Sequence, residues 1–127
     1  MKTFLLVIAI ALVASLVVGG ADAAPRESTA CGFDVGAPFL YVDIVFAPAT
    51  IQCSSSQNRI TVTTVLTRDG VEVARNTRHC THTAVCHNDV GSWSIDSPGN
   101  QTWCTTAWGT AHGQTFSPVT RCEEEDF

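Results

Sequence analysis

Apolar and polar residues alternate along most of the chain, which predicts β-strands rather than helices. The clearest case is the stretch 59–75, in which two alternating runs flank Asp69-Gly70. An Asp-Gly pair between such runs predicts a two-residue type I′ turn, because both central residues must take a positive φ. With that turn, Leu66 lies opposite Val73. The hairpin then has one apolar face and one face rich in threonine.

Shorter β patterns fill the rest of the chain. Aromatic and β-branched residues predict a strand over Phe39–Phe46, which Pro48 should end. A strand over 50–53 runs into the polar cluster 54–58, which predicts a turn. Further strands are predicted over 91–95, 101–108 and 115–122. About seven short strands of this kind predict an all-β fold, an immunoglobulin-like two-sheet antiparallel sandwich stapled by disulfides.

The N-terminus has a different pattern. An apolar run over 4–18 precedes small residues that end at Ala23, which is typical of a secretory signal peptide. The run is too short for a membrane span of about 20 residues, so we expect secretion without membrane insertion. Cleavage after Ala23 leaves 104 of the 127 residues, a length that suits one domain. The predicted organisation is a signal peptide over 1–23, a flexible leader over 24–30, a β-sandwich domain over 31–122 and an acidic tail over 123–127.

Charge narrows the set of partners. The formal net charge is −5, and the only lysine, Lys2, lies in the predicted signal peptide. A chain of this kind has no basic surface to neutralise phosphates, so we expect no nucleic-acid binding. The acidic run over 123–126 is expected to be a solvated, mobile tail.

Six cysteines follow the predicted signal peptide: Cys31, Cys53, Cys80, Cys86, Cys104 and Cys122. An even number behind a signal peptide predicts three disulfides formed in an oxidising compartment. Cys80 and Cys86 are close enough in sequence to close a small loop, and we expect that pair.

The sequence alone does not fix the pairing of the other four cysteines, and two schemes are compared. The favoured scheme joins Cys53 to Cys104 across the core and Cys31 to Cys122 at the ends of the domain. The competing scheme joins Cys31 to Cys53 and Cys104 to Cys122.

Histidines and cysteines are concentrated in the segment 79–89, and these are the residue types that bind zinc. Because a disulfide is expected to consume both thiols, we predict a clipped polar loop with no metal and no cofactor. His82 and His87 are candidate binding residues on this loop.

Exposed aromatic residues are the other candidate surface. Trp93, Trp103 and Trp108, together with Tyr41, would form a platform that stacks sugars or anchors a partner protein. One tryptophan is nevertheless expected in the core and at least one on the surface, and the sequence does not say which; Trp93 and Trp108 are candidate binding residues. The chain has no Gly-x-Ser-x-Gly motif, and nothing in the sequence brings two carboxylates together. We therefore predict that the protein is not an enzyme.

Three segments together carry a family resemblance: the hairpin 60–75 with Arg-Asp-Gly-Val at its tip, the Cys80…Cys86 spacing, and the run Pro-Gly-Asn-Gln-Thr-Trp-Cys over 98–104. The chain resembles small secreted actinobacterial β-sandwich proteins of unknown function. The resemblance implies a secreted β-sandwich and assigns no functional residue.

These patterns predict a small secreted, non-enzymatic binding module. Its partner is expected to be an extracellular protein or a carbohydrate, contacted by loops at one end of the sandwich. The alternative is an extracellular inhibitor or toxin-like effector, which would present the disulfide-clipped 79–89 loop to a protein target. A preorganised loop favours that alternative, because it loses less entropy on binding.

Overall fold

A computed structural model describes residues 29–94 and 99–127, so the predicted signal peptide and most of the predicted leader lie outside the described residues. The described chain forms six antiparallel strands in one strongly curled sheet. No helix in this part of the chain is long and apolar enough to cross a membrane. The strands are β1 (Cys31–Val35), β2 (Phe39–Tyr41), β3 (Ile44–Arg68), β4 (Val71–Trp93), β5 (Gln101–Ala111) and β6 (Gln114–Glu125).

The predicted all-β class is confirmed, but the described residues form one sheet instead of the two sheets of an immunoglobulin-like sandwich. The reason is the length of β3 and β4, which comprise 25 and 23 residues and run through positions where separate short strands were expected. The order of neighbouring strands in the sheet is β1-β3-β5-β6, which places β3 in the interior. Strands β2 and β4 also pair with β3.

The predicted Asp69-Gly70 turn is confirmed. Its two residues have φ values of 49° and 83°, as a type I′ turn requires. The pairing then shifts by one residue, so that Leu66 lies opposite Ala74 and the predicted pairing of Leu66 with Val73 is wrong. The extra residue forms a β-bulge, which the alternating pattern does not reveal.

Strands β3 and β4 form a long two-stranded ribbon that bends sharply. The disulfide Cys80–Cys86 joins the two sides of this bend within β4. The Cα atoms of Cys80 and Cys86 are 5.7 Å apart, although six residues of extended strand would span about 20 Å. The predicted disulfide is thus confirmed. The segment 79–89, however, is a bent part of β4 rather than a separate loop.

The first half of β3 departs from two further predictions. The polar cluster 54–58 is not a turn, because β3 continues through it with a shift of register between Gln52 and Gln57. Pro48 does not end a strand either, since it lies within β3 and its carbonyl accepts a hydrogen bond from the N–H of Gly36 at 3.0 Å.

The predicted strand Phe39–Phe46 is instead a tight hairpin. Phe39 of β2 pairs with Phe46 of β3, and residues 42–43 form the turn between the strands. Val42 takes a φ of 61° in this turn. A β-branched residue seldom adopts that conformation, so the sequence carries no turn signal here.

The bend folds the two halves of β3 towards each other and encloses the core. Alternate residues of β3 and β5 point inwards, and Trp103 of β5 is only 1% exposed. One apolar cluster lies near the bend and contains Val35, Ala49, Ile51, Cys53, Ile60, Val62, Cys86, Ala107 and Ala111. The other lies towards the opposite end, which we call the open end, and contains Val45, Ala47, Leu66 and Trp103.

Side chains close the curl. The rings of Phe33 in β1 and Phe116 in β6 lie 5.3 Å apart and join the outer strands. Within β4, the amide of the buried Asn88 bonds to Asn76, and the guanidinium of Arg78 donates to the carbonyl of His87 at 2.9 Å. These bonds connect the two halves of β4 across the bend.

The remaining disulfides are Cys31–Cys53 and Cys104–Cys122. The favoured pairing was therefore wrong and the competing one is observed. Each of these disulfides joins residues that lie directly opposite each other on neighbouring strands, with Cα atoms 3.9 and 4.0 Å apart.

The acidic segment 123–127 does not form a separate tail. Glu123, Glu124 and Glu125 belong to β6 and lie opposite the start of β5. The ring of Phe127 lies 5.9 Å from that of Trp103 and packs against the core. The structured domain therefore includes the acidic segment.

Candidate functional site

The largest exposed aromatic side chains form one row on the outer face of the sheet at the open end. Tyr41, Ile44 and Trp93 are cross-strand partners on three adjacent strands, so their side chains project from the same face. Tyr41 is 67% exposed and Trp93 is 68% exposed, with Ile44 half-buried between them. We call these three residues the aromatic platform.

A second row supports the aromatic platform. The rings of Phe39 and Phe46 are stacked with their centroids 5.7 Å apart. Beyond them on β4 lies Gly91, where an added Cβ would come within 3.0 Å of the Phe46 ring. Phe46 therefore covers Gly91, and this part of the outer face is continuous and apolar.

A cavity of about 480 Å³ lies beside the platform and is called the end pocket. A hydrogen bond of 2.9 Å from the N–H of Ser94 to the carbonyl of Asp43 joins two of its lining residues. The residues that line the end pocket are Leu40, Val42, Asp43, Trp93, Ser94 and Phe127. Four of these six residues are apolar, but polar atoms make up about half of the exposed lining, and Asp43 is its acidic residue.

The structure brings together only some of the predicted aromatic site. Tyr41 and Trp93 share one surface, whereas Trp108 lies on β5 in the other half of the sheet. Trp108 is half-buried, and the guanidinium of Arg75 covers its ring at 5.4 Å from the centroid. Arg75 also donates to Glu72 at 2.8 Å, and these hydrogen bonds lower the pKa of the Glu72 carboxyl. Trp108 is thus already engaged within the chain.

The predicted histidines lie apart from the platform. His82 lies at the bend with a φ of 52°, and His87 lies on the outer face opposite Thr50. Both cysteines of this segment are in a disulfide. Within the described ranges, no group of three or more His, Cys, Asp or Glu side chains is placed to hold a metal ion.

A network around His87 has the connectivity of a hydrolytic triad. The Nδ1 atom of His87 lies 2.7 Å from the Oγ1 of Thr50, and its Nε2 lies 3.2 Å from an oxygen of Asp89. Thr50 also lines a second cavity of about 500 Å³.

Hydrolysis by such a network would need backbone N–H groups directed at a developing oxyanion. Thr50 lies in the middle strand, paired with Asp34 on one side and His87 on the other. The surrounding N–H groups therefore belong to the hydrogen bonding of the sheet. The contacts among Thr50, His87 and Asp89 are therefore those of neighbouring side chains on an exposed face of the sheet.

Sequence reasoning missed most of the end pocket. Leu40 and Val42 were read as parts of one continuous strand, and Phe127 was assigned to a mobile tail. No sequence pattern singles out Asp43. A turn inside the apolar run 39–46 would have shown the pocket, but a β-branched residue such as Val42 is not expected at a turn position with a positive φ.

No family model matches the chain, and no curated protein matches it. Among solved structures, the chain is similar to a glycosyl hydrolase family 2 member from Bacteroides cellulosilyticus DSM 14838, with a TM-score of 0.47 and 13% sequence identity. The match covers 74% of this chain and 14% of that one. It supplies no argument about function, and the resemblance to small actinobacterial proteins stays a prediction.

Proposed function

We propose that the protein is a secreted, non-enzymatic binding module that contacts an extracellular partner through the aromatic platform. The observation that carries the proposal is the exposure of Tyr41 and Trp93 in one row on one sheet face. Aromatic side chains contribute much of the binding energy at protein and sugar contacts, and a contiguous exposed apolar surface marks an interaction site.

The surroundings of the platform favour binding over chemistry. Its residues belong to paired strands rather than to a long loop, so little conformational freedom is lost when a partner binds. The neighbouring second row, with Phe46 over Gly91, extends the apolar surface. Secretion is supported by the three disulfides, which form in oxidising compartments.

The test compares the binding of three purified proteins to a panel of insoluble polysaccharides and to the proteins of the native extracellular medium. They are the wild type, the double variant Tyr41→Ser/Trp93→Ser, and the control Val85→Ser. Val85 is an exposed apolar residue at the bend, 43% exposed. We expect at least one partner to bind the wild type and the Val85→Ser control equally well. The same partner should not bind the double variant. A set of partners that all three proteins bind equally would overturn the proposal.

The bend itself supports a second candidate, an inhibitor or effector that uses the residues between Cys80 and Cys86. The disulfide holds this segment, and the hydroxyl of Thr83 bonds to both the N–H and the carbonyl of Val85 at 3.2 Å. Such a rigid protrusion suits insertion into a protein target. Binding that is lost in Val85→Ser and retained in the platform variant would favour this candidate instead.

A further inference from the structure

The end pocket combines apolar side chains with polar atoms and one acidic residue, Asp43. Leu40 and Val42 provide aliphatic surface, and the indole of Trp93 provides aromatic surface. Asp43 directly follows Val42 and lines the same cavity. Because Val42 and Asp43 form a tight turn fixed by the bond from Ser94 to Asp43, the wall is held in place without a ligand.

The carboxylate of Asp43 is in no ion pair of the described residues. Among residues 29–94 and 99–127, the ion pairs are Glu72 with Arg75 and His87 with Asp89, and neither includes Asp43. No arginine lines the end pocket.

Further acids lie near Phe127, which is part of the pocket wall. Asp126 directly precedes Phe127, and Glu124 and Glu125 are the last two residues of β6. The whole chain carries a net charge of −5. Arg68 also lies at this end, with its guanidinium 5.9 Å from the centroid of the Trp103 ring. The acids named here outnumber this arginine, so the field at the open end attracts cations and repels anionic partners such as acidic polysaccharides.

We infer that the end pocket binds the side chain of a lysine or arginine from a basic peptide segment, whose neighbouring residues lie on the aromatic platform. The inference rests on the proposed function and specifies its partner. The aliphatic stem of such a side chain fits against Leu40 and Val42, as long cationic side chains commonly lie along apolar surface. The charged group then meets the indole face of Trp93 and the carboxylate of Asp43.

The probe is a short fluorescent peptide of alternating lysine and leucine, titrated with the wild-type protein and followed by anisotropy. Matched peptides with glutamine or glutamate in place of lysine keep the leucines and change only the charge. We expect the lysine peptide to bind most tightly, the glutamate peptide most weakly, and added salt to weaken the binding of the lysine peptide.

Two carboxylate variants locate the binding. Asp43→Asn keeps the shape of the pocket, removes the charge and should weaken binding of the lysine peptide by about fivefold. Asp34→Asn removes an exposed acid of β1 that is outside the pocket, and it should leave the affinity unchanged. Equal binding of the three peptides, or an affinity unaffected by Asp43→Asn, would overturn the inference.

Other occupants give distinct results. A neutral polysaccharide that binds through Tyr41 and Trp93, or self-association that depends on Trp93, would overturn the basic-peptide inference while the proposed function stands. If substitution of Tyr41 and Trp93 affects no partner at all, the proposed function fails together with the inference.

Discussion

Asn88 shows how a single polar residue holds two parts of a bent strand together. Its side chain is 2% exposed, and its Nδ2 atom lies 3.1 Å from the carbonyl of Val62, 3.0 Å from the hydroxyl of Thr64 and 2.9 Å from the carbonyl of Asn76. Its Oδ1 accepts a hydrogen bond of 2.6 Å from the amide of Asn76. An amide offers two hydrogens and one acceptor oxygen, so the whole side chain is used.

Removing this amide leaves buried polar groups without partners. We expect Asn88→Ala to lower the free energy of unfolding by about 3 kcal/mol, because each unpaired buried group costs about 1–3 kcal/mol. Asn58→Ala is the matched control, since Asn58 is exposed on β3. The measurement is urea denaturation with the disulfides intact. Equal stability of the two variants would show that Asn88 does not bridge the halves of β4.

At the scale of elements, the tip of the β3–β4 hairpin was predictable and its bend was not. Asp69-Gly70 is a local signal, because the turn needs residues that tolerate a positive φ. The bend depends on contacts between parts of β3 that lie far apart in sequence, such as Val45 with Leu66 in the core. A run of alternating residues has the same appearance whether the strand is straight or bent.

The residues of the candidate site were also only partly predictable from the sequence. Tyr41 and Trp93 could be chosen from the sequence because exposed aromatic residues suit binding, yet Trp108 fitted the same criterion. Only the cross-strand register distinguishes them, since it places Ile44 between Tyr41 and Trp93. Register is set by bulges and turns along the whole ribbon, and composition does not carry that information.

The disulfide pairing can be tested without a structure. Arginine-specific cleavage of the unreduced, denatured protein keeps Cys31 and Cys53 on one fragment, 27–59, and separates Cys122 from Cys104. With the observed pairing, we expect 27–59 to be released alone and the short C-terminal fragment 122–127 to stay joined to the fragment that contains Cys104. Mass spectrometry before and after reduction gives the answer.

The pairing that the structure excludes has a different outcome. Disulfides from Cys53 to Cys104 and from Cys31 to Cys122 would keep all three fragments in one species until reduction. A single joined species would therefore contradict the cross-strand arrangement of these disulfides.

At the scale of the whole molecule, contacts between strands distant in sequence close the curl. The tilted aromatic pair of Phe33 and Phe116 joins the first strand of the sheet to the last. The partly buried Val119 packs against the same core cluster. Because no backbone pairing joins β1 to β6 in the described chain, closure on this side relies on side chains.

A double-mutant cycle measures this closure. We expect Phe33→Leu and Phe116→Leu to be coupled by about 1 kcal/mol, which is typical of an aromatic pair. Phe39→Leu gives the control cycle with Phe33→Leu, since Phe39 stacks on Phe46 on the outer face. Additive effects in both cycles would show that the contact between Phe33 and Phe116 does not contribute to closure.

The position of the acids in β6 bears on aggregation. β6 is an outer strand of the sheet, and an outer strand presents N–H and C=O groups on which another chain can add. A second copy that paired there would bring its own Glu123, Glu124 and Glu125 beside those already present. Like charges that lie opposite each other destabilise the pairing of two strands, so these carboxylates make such growth unfavourable.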